Sequence, residues 1–183
     1  MTAPVDVVRR PAYFLVPLAA GAVVAVALGM YGKLHTPTGQ AIFHSPFQTM
    51  IGMKVWLTGI ALTLAVAQLL TALWMFGKLG VDAPYWVGTV HKTLGALAFL
   101  VTLPVAFHCL YALGFATYDS RVLAHSLLGC TFYGAFVAKV LTLHSKRVPG
   151  WALPWVGGLL FTALVGVALT SAVWYVTTQG VPG

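Results

Sequence analysis

Residues 91–146 read HKTLGALAFLVTLPVAFHCLYALGFATYDSRVLAHSLLGCTFYGAFVAKVLTLHSK, which is two long apolar segments joined by a short polar turn. Each segment carries a histidine near each of its ends: His91 and His108 in the first, His125 and His144 in the second. An ionisable side chain inside a membrane segment is energetically expensive, so it marks a functional site by default. Four such side chains in two neighbouring segments point to a shared function.

The composition of the whole chain is that of a membrane protein. Of its 183 residues, 60% are hydrophobic and only 7% are charged, whereas a soluble domain carries roughly 25% charged residues. The formal net charge of +7 does not indicate nucleic-acid binding, because most basic residues lie at the ends of apolar segments, where they orient a membrane protein. We expect lipid, and no nucleic acid, as a partner.

Five apolar segments are long enough to cross a bilayer, since each exceeds the roughly 20 apolar residues that a crossing needs. Their approximate ranges are residues 11–31, 50–76, 86–115, 122–143 and 152–176. The first segment lacks a clear small-x-small cleavage site, so we expect it to be a span and not a signal peptide. The sequence thus predicts one all-α domain over residues 1–183, a bundle of five transmembrane helices.

The spacing of the four histidines matches the thickness of a bilayer. Consecutive spans run antiparallel, so His91 and His144 should share one depth, and His108 and His125 the other. The pairs within a span are 17 and 19 residues apart, roughly 25 and 28 Å at about 1.5 Å per residue, close to a hydrocarbon core of about 30 Å. We interpret the four as metal ligands, the axial ligands of two b-type haems. Two axial imidazoles leave no open position on iron, which suits electron transfer.

Three further residues fit this interpretation. Each span opens with His-x-x-Leu-Gly, and the glycines, Gly95 and Gly129, lie one turn from His91 and His125 on the same helix face. We expect them to leave room for a flat macrocycle. Arg121 lies one turn from His125 on the side of the outer water and is expected to pair with a haem propionate. Lys92 or Lys139 would do so at the other depth.

The spacing within each span raises an objection. At about 100° per residue, offsets of 17 and 19 residues turn the two histidines of one helix about 100° apart. Tilt and a kink at Pro104 would absorb part of this difference. Otherwise one histidine per span points elsewhere, and His35, His44, Met53 or a contact from the second or fifth span completes the site.

Other polar residues in the chain have simpler interpretations. We expect His35 and His44 to be loop residues without a ligand role, and Gln68 to form an interhelical hydrogen bond. The two cysteines, Cys109 and Cys130, are expected to pack, since buried free cysteine is common. The absence of a C-x-x-C-H motif excludes covalent c-type haem attachment.

Basic residues near the span ends predict the orientation. An N-terminus in the cytoplasm places more of them on the cytoplasmic side, as the positive-inside rule requires. We therefore predict a multi-pass protein of a bacterial cytoplasmic (inner) membrane. The predicted cytoplasmic residues are Arg9, Arg10, Lys78, Lys92, Lys139, Lys146 and Arg147, and the predicted outer residues are Lys33, Lys54 and Arg121.

The phrase HKTLG at residues 91–95 resembles the start of a haem helix in bacterial cytochrome b-561 proteins. The general plan looks like the wider group of small di-haem b membrane subunits, which includes the five-span nitrate-reductase gamma subunits and the membrane anchors of hydrogenases. The resemblance covers about a third of the chain, residues 91–146. It implies quinone chemistry at one face and electron exchange with a partner protein. The chain differs from that group in placing all four candidate ligands on two adjacent spans.

The sequence therefore predicts a b-type cytochrome subunit whose haem-binding part covers about residues 86–146. It would pass electrons between a quinone pool and a partner redox protein within a larger respiratory complex. We expect residues 35–48 to contribute to a quinone pocket or a docking surface near the outer haem. A quinone-linked oxidoreductase role is open, but the chain has no nucleotide motif, so a dehydrogenase site would need a partner subunit.

Two alternative functions are compatible with the same sequence. The first is a haem-free membrane anchor or assembly subunit of a respiratory complex, in which the histidines only pack. The second is a metal-handling transporter, with His35, His44 and the outer histidines along a metal path.

Overall fold

The computed structural model of the protein describes residues 10–182. Helices form nearly all of this part of the chain, and it contains no β-strand. The α-helices are α1 (Leu15–Leu34), α2 (Met50–Met75), α3 (Val87–His108), α4 (Ser120–His144), α5 (Ala152–Ala168) and α6 (Trp174–Gln179). A 3₁₀ turn, Pro11–Phe14, precedes α1. The π-helical turn Cys109–Leu113 extends α3, and a second one, Leu169–Val173, joins α5 to α6.

Together these elements make five helical rods that are long and apolar enough to cross a membrane. They are Pro11–Leu34, Met50–Met75, Val87–Leu113, Ser120–His144 and Ala152–Gln179, with mean hydropathies of 1.5 to 2.1. This confirms the predicted fold class and the five predicted spans. The outward-facing side chains are largely apolar, among them Val16, Val23 and Leu100. Such a surface favours lipid over water, so the chain is a multi-pass membrane protein.

The loops alternate between the two ends of the bundle. The end that we call the N-terminal end holds the start of α1, the α2–α3 loop and the α4–α5 loop. There the Arg10 amide donates to the Arg147 carbonyl, with an N···O distance of 3.2 Å, and the Arg147 guanidinium lies over the Tyr13 ring. The opposite, C-terminal end holds the other two loops and the end of the chain, where Trp56 donates to the Pro182 carbonyl. Arg9 lies outside the described residues.

The six tryptophans form the two belts that membrane interfaces favour. Trp74 and Trp86 meet edge to face at the N-terminal end, with ring centroids 5.8 Å apart. Trp151 packs against Phe14 at the same end, which also holds Trp155. The belt at the C-terminal end consists of Trp56 and Trp174.

Helix α1 packs on α4 through two glycines. A Cβ atom at Gly21 would overlap the Gly134 carbonyl oxygen, and one at Gly134 would overlap the Gly21 carbonyl oxygen. Ala25 and Ala138 flank this crossing, each with its Cβ 3.0 Å from the position that one of those added atoms would take. Small residues are what close helix packing in membranes requires, and Gly21, Ala25, Gly134 and Ala138 supply them at this crossing.

Helices α3 and α4 pack on different neighbours. Helix α3 packs mainly against α2, and α4 packs between α1 and α5; along their described lengths α3 and α4 make few close backbone approaches. Aromatic side chains bridge them at mid-depth instead. The Phe99 and Phe136 rings stack with centroids 3.8 Å apart, and the Tyr133 hydroxyl donates to the Thr102 carbonyl. The two histidine-bearing spans therefore face each other across side chains, with space left between them.

Candidate functional site

The four histidines of α3 and α4 lie at two depths. His91 is in the first turn or two of α3 and His144 is the last residue of α4, so both are at the N-terminal end of the bundle. His108 ends α3 and His125 lies near the start of α4, so both are at the C-terminal end. This is the arrangement that antiparallel spans predicted.

Two of these imidazoles are oriented by threonines on neighbouring helices. The His91 Nδ1 atom is 2.9 Å from the Thr71 hydroxyl of α2, and the His125 Nδ1 atom is 3.3 Å from the Thr170 hydroxyl. Each hydroxyl lies within hydrogen-bond distance of a carbonyl four residues earlier in its own helix. Because a hydroxyl has one proton and that proton goes to the carbonyl, the threonine oxygen accepts from Nδ1–H. In both histidines Nε2 then carries the lone pair.

The other two imidazoles are oriented by their own helices. His108 Nδ1 and His144 Nδ1 each lie 2.8 Å from the carbonyl oxygen four residues earlier, that of Pro104 and that of Val140. A carbonyl can only accept, so Nδ1 carries the proton here as well. His108 is buried, with 1% of its surface exposed, and its Nε2 has no hydrogen-bond partner. Buried polar atoms are nearly always paired, so this atom requires a ligand or a functional explanation.

A cavity lies beside His125 in the C-terminal half of the bundle. Its volume is about 90 Å³, which is below the range of about 300–1,000 Å³ typical of small-molecule sites. Its lining is mostly apolar and comes from all five spans, with Thr102 and Tyr133 of the mid-depth aromatic layer among its polar groups. Gly129 also lines it, and no heavy atom lies within 4 Å of the position that a Gly129 Cβ would take. A side chain larger than that of glycine would therefore meet no close neighbour at Gly129.

The side chain that contacts His125 Nε2 beside this cavity belongs to Cys109. The Cys109 sulfur is 3.9 Å from His125 Nε2, and both residues line the cavity. The His108 ring instead packs edge-on against Phe43 of the α1–α2 loop, with centroids 4.6 Å apart, and against Phe107. The structure thus brings His108 and His125 to one depth but does not point the His108 ring at His125.

The surroundings of the histidines at the N-terminal end differ from those at the C-terminal end. The expectation that Gly95 leaves room for a macrocycle is wrong in this structure, because the Gln68 side chain fills that space. Gln68 Nε2 lies 2.9 Å from the position of an added Gly95 Cβ and donates to the His91 carbonyl, which gives Gln68 the predicted interhelical hydrogen bond. His144 is exposed at the helix end, Lys92 is also exposed, and Lys139 is half-buried.

Arg121 makes three contacts at the C-terminal end. Its Nη1 donates to the Thr170 carbonyl at 2.7 Å, its guanidinium lies 3.8 Å from the Trp174 ring centroid, and its Nη2 is 3.8 Å from Asp119. A haem propionate would have to replace some of these contacts. Thr170 lies in a π turn and contacts both Arg121 and His125. π turns inside α-helices are frequent at functional sites, and the contacts of Thr170 hold the Arg121 and His125 side chains near each other.

The α1–α2 loop covers the end of α3. His35 stacks between Tyr31 and Tyr111, with centroid distances of 5.2 and 4.9 Å, and its Nε2 is 3.1 Å from the Tyr111 carbonyl. His44 Nδ1 is 2.7 Å from the Phe47 carbonyl. Within residues 10–182, no three His, Cys, Asp or Glu side chains come close enough to hold a metal ion. The metal-transport alternative therefore gains no support from this part of the chain.

Three residues of this site were not predicted as such: Thr71, Thr170 and Cys109. The only feature of the sequence that marked the two threonines was a hydroxyl group in an apolar span. The sequence does not show which histidine each threonine contacts. Cys109 follows His108 directly, and at about 100° per residue one of these neighbours had to face away from His125. The sequence led us to expect that His108, and not Cys109, would face His125.

The comparisons with known proteins identify a family but no function. No curated protein and no solved structure matches the chain. One family description, DUF6529, matches residues 14–183, which is nearly the entire chain. The protein therefore belongs to this family of unknown function.

Proposed function

We propose that the protein is a b-type cytochrome membrane subunit that transfers electrons between a quinone pool and a partner redox protein. The observation that carries the proposal is that Nδ1 of each of the four histidines lies within hydrogen-bond distance of an oxygen atom. Each has Nδ1–H bound to an acceptor, namely the Thr71 hydroxyl, the Pro104 carbonyl, the Thr170 hydroxyl or the Val140 carbonyl. Iron ligation needs a neutral imidazole with an available Nε2 and a fixed Nδ1–H.

The donor atom and the apolar lining at the C-terminal end support a haem, but the cavity of about 90 Å³ does not hold a macrocycle unless the surrounding helices move apart. His125 supplies Nε2 at the edge of an apolar cavity, and Gly129 provides space one turn away. Once bound there, a haem would supply a one-electron couple whose potential depends on its axial ligands and surroundings. The chain's own residues would orient the ligand through Thr170, and the apolar cavity lining would exclude water.

The residues at the N-terminal end fit a haem less well. His91 is oriented by Thr71, but Gln68 fills the space beside Gly95. A second haem, bound by His91 and His144, therefore requires the Gln68 side chain to move out of the space beside Gly95. We keep two haems as the proposal because all four histidines have Nδ1 beside an oxygen atom and form pairs by depth. Between the two depths, the Phe99–Phe136 stack and Tyr133 would form the medium that electrons cross.

The α1–α2 loop is the proposed meeting point with quinone or a partner protein. Phe43 covers His108, and the loop lies at the same end as the cavity. Quinones are flat and largely apolar, and the exposed aromatic and apolar side chains of this loop, such as Ile42 and Phe43, suit such a ligand. A respiratory complex in a bacterial inner membrane is the proposed setting.

Haem content tests the proposal. We expect the purified protein to contain two b-type haems per chain, measured by a pyridine haemochrome assay against protein concentration, with a sharp α band on reduction. One haem per chain would support the C-terminal site alone, as the position of Gln68 favours. A protein that folds in detergent and neither contains nor takes up haem would contradict the proposal and leave the haem-free anchor as the better explanation.

Topology tests the proposed orientation. Five spans put the two termini on opposite sides, and the basic residues Lys78, Lys92, Lys146 and Arg147 favour a cytoplasmic N-terminal end. A C-terminal alkaline phosphatase fusion, which is active only outside the cytoplasm, should be active, and a C-terminal green fluorescent protein fusion should be dark. The reverse pair of results would contradict the orientation.

A further inference from the structure

We propose that a groove between α1 and α4 at the C-terminal end binds one anionic phospholipid. One acyl chain lies between the two helices, and the phosphate lies at Lys33. The proposal goes beyond the proposed function and does not depend on it, because no histidine lines this groove.

The groove is the space that opens where α1 and α4 separate on the C-terminal side of their closest contact. The two helices touch at Gly21 and Gly134. The groove begins beside that crossing, at Ala25, and ends at Lys33. Its volume is about 440 Å³, within the range of about 300–1,000 Å³ typical of small-molecule sites. The helix crossing therefore closes the deep end, and the end near the water is open.

The length of the groove matches one leaflet of a bilayer. Ala25 and Lys33 are eight residues apart in α1, which is about 12 Å at about 1.5 Å per residue. Half of a hydrocarbon core of about 30 Å is about 15 Å. The groove thus runs from the level of the headgroups most of the way to the middle of the membrane. An acyl chain of the leaflet at the C-terminal end has this direction and this depth.

The walls of the groove suit a hydrocarbon chain. Val26 and Met30 of α1 and Leu127 of α4 line it, and Phe115 lies at its base. The Thr131 hydroxyl also lines it, but this hydroxyl donates to the Leu127 carbonyl at 2.8 Å. Its proton is therefore not available to a polar ligand, and the walls offer mainly van der Waals contact.

Lys33 gives the groove its preference for a headgroup. It lies in the last turn of α1 and is exposed. Among residues 10–182 the only ion pair joins Arg121 and Asp119, so the Lys33 ammonium has no carboxylate partner in this part of the chain. A lysine stem can lie along apolar surface while its ammonium reaches the interface, where it attracts anionic headgroups. This charge favours an anionic phospholipid over a zwitterionic one or an uncharged isoprenoid.

Native mass spectrometry of the full-length protein in detergent tests the proposal. The probes are phosphatidylglycerol and phosphatidylcholine with identical acyl chains. One phosphatidylglycerol should bind at about fivefold lower concentration than phosphatidylcholine, the effect of about one lysine near a lipid surface. Lys33→Gln should remove this preference. Lys78→Gln, which alters an exposed lysine at the N-terminal end, should keep it.

A second pair of variants tests the groove itself. Gly29→Leu should fill the groove and prevent retention of either phospholipid. The added Cβ would make only ordinary contacts, 3.7 Å from the Phe115 ring and 3.8 Å from the Cys130 sulfur, so the backbone need not move. Gly59→Leu is the matched control and should bind lipid as the wild type does. Gly59 is exposed on α2 and has no heavy atom within 4 Å of the position of an added Cβ.

The opposite results would overturn the proposal. Equal binding of the two phospholipids by the wild type, or an unchanged preference in Lys33→Gln, would show ordinary solvation by lipid. Retention of phosphatidylglycerol by Gly29→Leu would place the lipid elsewhere. Displacement of phosphatidylglycerol by an equal concentration of an isoprenoid quinone would assign the groove to a quinone tail. If Gly29→Leu fails to fold, the surface change Lys33→Gln still decides. Haem content enters none of these outcomes, so this proposal and the cytochrome proposal fail separately.

Discussion

Replacing Gly134 with leucine is expected to separate α1 from α4 and to destabilise the bundle strongly. A Cβ at this position would overlap the Gly21 carbonyl oxygen and lie 3.0 Å from the Ala25 Cβ. Because backbone blocks the first contact, a rotamer change cannot relieve it. Overpacking of a core costs about 1–3 kcal/mol, and we expect at least the upper end of that range here. The measurement is the thermal unfolding of the purified protein in detergent.

The matched control for this change is Gly158→Leu. Gly158 lies in α5, is exposed, and has no heavy atom within 4 Å of the position of an added Cβ. The same glycine-to-leucine change there should leave the unfolding temperature nearly unaltered or raise it slightly, since leucine favours a helix more than glycine does. Equal unfolding temperatures for the two variants would show that the α1–α4 crossing is looser than described.

Replacing His125 with alanine is expected to remove the haem at the C-terminal end completely. The change deletes the Nε2 donor beside the cavity, and no other histidine lines that cavity. The pyridine haemochrome ratio should fall from two haems per chain to one, and one component should vanish from the redox titration.

His91→Ala is the complementary variant, since His91 lies at the other end of α3. It should remove the other component of the titration and leave the first one unchanged. If His125→Ala retained both components, the cavity would not be a haem site. If His91→Ala and His125→Ala removed the same component, the assignment of the histidines to two depths would be wrong.

The sequence predicted the spans and the depths of the histidines well, and the neighbours of each histidine less well. Span length and apolar composition are local properties, so the five rods were predictable. Depth follows from the alternating direction of consecutive spans, so the placement of His91 with His144 was predictable too. The contacts between side chains of different helices depend on how each helix is rotated and tilted, and packing between the helices sets both.

Gly95 and Gly129 illustrate that difference. Both follow a histidine by four residues, and the sequence treats them alike. In the structure, Gln68 of α2 fills the space at Gly95, whereas the space at Gly129 stays open. The deciding residue comes from another helix, and no spacing within residues 91–146 identifies it. The Cys109–His125 contact was missed for the same reason, because it depends on the rotation of α3 about its own axis.

The two π turns have a consequence for comparing this chain with its relatives. A π turn holds one residue more than an α turn, so it is what a single-residue insertion leaves when the helix on either side keeps its place. The turns Cys109–Leu113 and Leu169–Val173 therefore mark positions where a one-residue gap in an alignment would be structurally sensible, even though both lie within membrane spans. A gap-free alignment through Thr170 could shift every position after it by one residue and match Trp174 with the wrong residue of a relative.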